Sequence, residues 1–155
     1  MRFLPLIAVL FAAATPALAQ LHPFPRQFPP SPSGFNGRWN GVDLERRSNC
    51  ASAQNNGNRG TYAQFDVVAV NNGELNITQT GVTGLNCDYR GRTQLASGLL
   101  TYTGTLSCSD GKQGNFEGHV VESAATRLHL RLAIQLTGAE SCIIDAILGM
   151  ARLEE

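Results

Sequence analysis

The sequence predicts an all-β fold: an eight-stranded antiparallel up-and-down β-barrel, with a two-sheet β-sandwich as the alternative. Three observations carry this. From Phe35 to Glu155 there is no proline. Glycine instead punctuates that stretch into short runs of alternating apolar and polar residues, the mark of half-buried strands joined by tight turns. About eight such runs follow one another, and an open sheet of that width leaves two exposed edges that closure removes.

The first strand opens at Gly37-Arg38-Trp39 and covers 37–45. The second (61–70) and third (74–80) meet across Asn72-Gly73, a strong hairpin dipeptide. The fourth (84–93) and fifth (99–108) turn at Ser97-Gly98, which sets Cys87 opposite Cys108 and Tyr89 opposite Leu106. A turn at Asp110-Gly111-Lys112 leads to the sixth (113–122), with Leu106 opposite Phe116 and Tyr102 opposite Val120. The seventh (126–136) is the clearest, because Leu128, Leu130, Leu132, Ile134 and Leu136 alternate with His129, Arg131, Ala133 and Gln135. A turn at Ser123-Ala124-Ala125 sets Val120 opposite Leu128 and Phe116 opposite Leu132. A turn at Gly138-Ala139-Glu140 starts the eighth (141–153), with Ile134 opposite Ile144 and Leu128 opposite Met150. A short helix over Ile143–Leu153 competes for that last segment. Each register puts apolar on apolar, since a one-residue slip would expose the whole set. The inward set then includes Leu85, Tyr89, Tyr102, Leu106 and Phe116, bulky enough to fill much of an eight-stranded interior.

The segment before the barrel reads as two parts. Met1-Arg2-Phe3 is a short positive start, Leu4 to Ala14 an apolar run, and Ala17-Leu18-Ala19 a small-x-small cleavage site. Residues 1–19 are therefore expected to be a signal peptide, and the run is too short for a membrane span. Residues 20–34 hold five of the seven prolines and read as an extended tether, with a proline-rich docking motif around Phe24 and Phe28 as the alternative. The barrel domain is expected over 35–155, in the periplasm or outside the cell.

Charge narrows the partners. Twelve Lys+Arg balance twelve Asp+Glu, which excludes a strongly basic nucleic-acid binder or a polybasic membrane-surface protein. Hydrophobic content of 43% excludes a largely disordered chain. Four cysteines in an exported chain are expected as disulfides. In the meander all four fall at one end. Cys87 and Cys108 face each other in a hairpin, and Cys50 meets Cys142 only if the first and last strands close the barrel. Their spacing has no C-x₂-C pair, so neither a metal site nor a redox motif is expected.

Gly37-Arg38-Trp39 on the first strand and Arg152 near the end of the last resemble the signature of calycins, the lipocalin- and avidin-like small barrels. The resemblance implies that Arg152 covers the Trp39 indole and closes one barrel end, a structural role worth about 0.5–2 kcal/mol. It also implies either carriage of a hydrophobic ligand or, as in some small periplasmic members, enzyme inhibition.

Candidate sites follow from the same register. Arg46 to Gly60 reads as the longest polar loop, where Arg46, Arg47 and Arg59 could engage carboxylates of a protein partner, against the alternative of a surface loop pinned by Cys50. His119 is placed opposite His129 on the outer face, with Glu117 opposite Arg131. That group is a solvated polar face unless the imidazoles share a metal ion. No catalytic motif is found: there is no G-x-S-x-G, H-E-x-x-H or phosphate-binding glycine loop. The expectation is a non-enzymatic binding barrel without a cofactor. Its partner is a protein, a hydrolase being one candidate, or alternatively a small apolar ligand held inside.

Overall fold

The computed structural model describes residues 32–70 and 73–153. Eight antiparallel strands follow one another in chain order and close into a barrel. They are β1 (Gly37–Ser48), β2 (Gly57–Ala69), β3 (Glu74–Gly81), β4 (Asn86–Ala96), β5 (Leu99–Cys108), β6 (Gln113–Ser123), β7 (Arg127–Thr137) and β8 (Cys142–Arg152). β1 pairs with β2 on one side and β8 on the other, so the sheet has no free edge and is not a sandwich. The tail is strand rather than helix, and its buried residues recur at every second position. The signal peptide (1–19), tether residues 20–31 and Asn72 lie outside the described residues. Among the described residues no helix is long and apolar enough to cross a membrane. Residues Pro32–Phe35, read as tether up to 34, form a 3-10 turn whose Phe35 is buried against the barrel.

Turn chemistry sets the registers, and two of them differ from expectation. The loop between β5 and β6 is closed by Cys108 N–H donating to Lys112 O (2.8 Å), with Gly111 at φ 86° as its third residue. A three-residue hairpin needs its left-handed residue in that position, so the turn centres on Asp110 rather than Gly111. Leu106 therefore faces Gly114 and Tyr102 faces Gly118, not Phe116 and Val120. Between β6 and β7, Ala124 N–H donates to Arg127 O (2.8 Å), leaving only Ala125 and Thr126 as the turn, and a bulge falls between Val120 and Glu122. Val120 then faces Leu130 and Phe116 faces Ile134, not Leu128 and Leu132. Both shifts are two residues, and a shift of two preserves which face each side chain takes. Phe116, Val120 and the β7 leucines are accordingly buried, as expected. Leu85 is the exception. It sits in the β3–β4 connection and is 36% exposed. The other hairpins match: Cys87 faces Cys108, Ile134 faces Ile144 and Leu128 faces Met150.

The two barrel ends are built differently. At the end where β1 starts and β8 finishes, Trp39, Phe65 and Phe35 are buried and Trp39 Nε1 donates to Phe35 O (3.0 Å). Arg152 lies over the Trp39 ring, 4.7 Å from its centroid, and donates to the carbonyls of Gly34 and Asn36. This end is plugged. At the other end Cys50 is bonded to Cys142 and Cys87 to Cys108. The first bridge joins the chain just past β1 to the first residue of β8 across 92 residues, and the second clips the β4–β5 hairpin. Each contributes about 2–4 kcal/mol.

Closure also demands close backbone approach. A Cβ added to Gly41 on β1 would lie 2.1 Å from the carbonyl oxygen of Gly149 on β8. Overpacking of that kind costs about 1–3 kcal/mol. Gly41→Ala is expected to lower stability in urea unfolding by that amount, whereas Gln94→Thr, at an exposed position of β4, is expected to shift it by less than about 0.5 kcal/mol.

Candidate functional site

The unplugged end is a mouth. On β1 the odd residues point inward, so Trp39, Gly41, Asp43, Glu45 and Arg47 climb from the plug to the opening. On β2 the pairing sets Thr61 beside Asp43 and Arg59 beside Glu45. β3 brings Gln79, which faces Cys87 on β4, and Tyr89, one inward step below Cys87, reaches Gln79 with its hydroxyl. The result is a pocket of about 470 Å³. Its walls include Leu106, Leu136, Ile144 and the Cys87–Cys108 bridge, and its polar lining includes Asp43, Gln79, Tyr89, Arg47 and Arg59.

The floor is a chain of hydrogen bonds. Tyr89 OH donates to Gln79 Oε1 (3.0 Å), and Gln79 Nε2 donates to Asp43 Oδ2 (2.9 Å). Beneath it the Tyr102 hydroxyl lies against the carbonyls of Leu75 (2.9 Å) and Tyr89 (3.0 Å), and Tyr102 packs on Phe116 at 4.6 Å between centroids. Burial pushes both tyrosine hydroxyls above their ordinary range. Asp43 is only 5% exposed, and its Oδ1 has no hydrogen-bond partner among the described residues. Burial, then the nearby Glu45 carboxylate, raises its pKa to about 6, against a downward pull from the Gln79 hydrogen bond and Arg47. Above the floor Arg47 holds Glu45 at 2.6 Å, both mostly buried. At the rim Lys112 contacts Asp110 and lies 3.5 Å from Glu140.

The three arginines expected in one polar loop separate. Arg46 and Arg47 belong to β1 and Arg59 to β2, so the connection shrinks to 49–56. Arg46 points outward and pairs with Asp145 at 2.5 Å, an exposed contact worth under about 1 kcal/mol. Arg47 and Arg59 instead line the mouth, with Arg59 donating to Asn55 Oδ1 at 3.3 Å. The outer-face histidines also separate, because of the β6–β7 shift. His119 faces Arg131, His129 faces Glu122 and Glu117 faces Ala133, so the imidazoles do not share a site. Among the described residues no cluster of three or more His, Cys, Asp and Glu forms a metal site. Asp43 and Gln79 went unread in the sequence, although each left a trace: a polar residue at an inward position, after Trp39 and Gly41 in one strand and after Leu75 and Ile77 in the other.

A wider groove of about 1010 Å³ crosses the outer face of β7, β8, β1 and β2, where Tyr62 and Val82 are strongly exposed. The mouth is the stronger candidate, because ligand sites pair apolar walls with a few convergent, buried polar groups.

No family model matches the chain, and no curated protein does. Among solved structures it is similar to a redesigned β-barrel (12% identity, 79% of this chain and 95% of that one, TM-score 0.48). It is also similar to a de novo designed fluorescence-activating β-barrel (14%, 77% and 94%, TM-score 0.44). A third is EF1p2_mFAP2b bound to DFHBI (11%, 77% and 94%, TM-score 0.48).

The raised Asp43 pKa has a consequence for stability. The folded barrel holds this proton more tightly than the unfolded chain, so the carboxyl's contribution is fully present below pH about 4 and is lost as pH rises through about 6. A shift from 3.8 to about 6 corresponds to about 3 kcal/mol. Asp43→Asn is therefore expected to be more stable than the parent at pH 7.5, by up to that amount, with the difference vanishing near pH 3.5. Urea unfolding of both proteins across this range checks it.

Proposed function

We propose that this protein is an exported, non-catalytic barrel that carries a small molecule in its disulfide-rimmed mouth. The observation that carries the reading is the pocket of about 470 Å³, with apolar walls, a polar floor and one opening. It lies in the size range of small-molecule sites. The plug of Trp39 and Arg152 at the opposite end supports a calycin-type reading, in which one end is sealed and the other receives the ligand. Two disulfides support an oxidising compartment, the periplasm or the cell exterior. Binding rather than catalysis is favoured because the polar groups are mostly tied to one another: Tyr89 to Gln79, Gln79 to Asp43, and Arg47 to Glu45.

A second reading, a protein partner such as a hydrolase, draws on the outer apolar face around Tyr62 and Val82. It no longer draws on an arginine loop, since Arg46 faces away from Arg47 and Arg59.

The test is retention of small molecules from extracellular or periplasmic extract, released by denaturation and identified by mass spectrometry. Thr61 is exposed and lines the mouth, so Thr61→Trp obstructs the pocket without repacking the core. The parent is expected to retain a defined compound and the variant less than a tenth as much. Equal retention by both, or none by either, removes the carrier reading. Capture of a protein lost on Tyr62→Ser with Val82→Ser would favour the second.

A further inference from the structure

Charge pairing in the mouth narrows the ligand class. Five charged side chains line the pocket: Asp43, Glu45, Arg47, Arg59 and Lys112. Arg47 and Glu45 satisfy each other, and Lys112 is held by Asp110 and Glu140. Asp43 and Arg59 remain. Among the described residues neither has an oppositely charged side chain within 4 Å. They are also at different depths. Arg59 stands beside Glu45 and Thr61 beside Asp43, so the cation is one inward step, about 7 Å, nearer the opening. Beside them on β1 and β2 stand Glu45, already paired with Arg47, and Thr61, while β5, β7 and β8 face the pocket with apolar Leu106, Leu136 and Ile144.

We propose that the ligand is an amino carboxylate whose ammonium docks on Asp43 and whose carboxylate meets Arg59, with an apolar chain of several carbons between. The inference rests on the carrier reading above and specifies its chemistry. A carboxylate buried with one oxygen unpartnered is costly unless a donor reaches it. Rotation about the Asp43 Cβ–Cγ bond, a soft torsion, turns that oxygen toward the pocket. The Arg59 guanidinium, bonded to neutral Asn55 and to no carboxylate among the described residues, has N–H groups to donate bidentately to a ligand carboxylate. A purely cationic or purely anionic ligand satisfies only one of the two.

Three probes of equal length separate the alternatives: 8-aminooctanoate, octanoate and octylamine. Each is titrated at pH 7.5 into the intact, disulfide-bonded protein and followed by NMR at Thr61, Gln79 and Ile144. The amino carboxylate is expected to bind at least tenfold more tightly than either singly charged probe. In Asp43→Asn it should no longer outbind octanoate, and in Arg59→Ala it should no longer outbind octylamine. If all three probes shift the mouth resonances with equal affinity, the ligand class is wrong and the carrier reading stands. If octanoate or octylamine binds tightest, the two-charge match is likewise overturned. If none shifts them, the ligand class is overturned and the retention experiment above decides the carrier reading; shifts confined to Tyr62 and Gly149 on the outer face overturn the mouth as the site.

Discussion

The pairing of β1 with β8 is the contact on which everything else depends. It is the longest-range ladder in the chain, joining Trp39 to Arg152 at one end and Ser48 to Ile143 at the other. Such non-local pairing brings its reward late, because the loop-closure entropy precedes it. Three features secure it. Arg152 stacks on Trp39. Gly41 lets the two backbones approach. Cys50 and Cys142 lock the far end. Without the seam the barrel has two open edges, no sealed end and no mouth.

Given the seam, the alternation of β1 distributes chemistry along the axis. Its inward residues run from an indole through a glycine to a carboxylate, a second carboxylate and a guanidinium. The apolar half is filled by Trp39, Phe65, Tyr102, Phe116, Leu128, Leu130 and Leu132. The polar half therefore cannot collapse on itself, and the space that remains is the pocket. Asp43 marks the boundary. It lies deep enough to lose its hydration, and it is supported on one oxygen only.

Much of this was legible from residue order. The strand count, the rim cysteines and the inward face of β7 all follow from period-two alternation and glycine turns. What failed was register by two, between β5 and β6 and between β6 and β7. Alternation is blind to an even slip, and only the position of Gly111 within its loop and the bulge after Val120 decide it. That slip is also what separated His119 from His129. The arginines were misplaced for a related reason. Polar side chains at 46, 47 and 59 read as loop, whereas in a barrel mouth the strand continues past the core and carries polar residues inward. Asp43 and Gln79 stayed hidden because a polar inward residue looks like noise until closure shows that it faces a cavity.

The placement of the two disulfides has one more consequence. In an eight-strand circle the β8–β1 seam and the β4–β5 hairpin stand diametrically opposed. Each bridge ties only its own pair of neighbours, so the rim is pinned covalently at two opposite points. The two arcs between them, β1 to β4 and β5 to β8, are held by backbone ladders and side-chain packing. Any widening of the opening therefore has to come from those arcs, and their midpoints are the β2–β3 and β6–β7 seams.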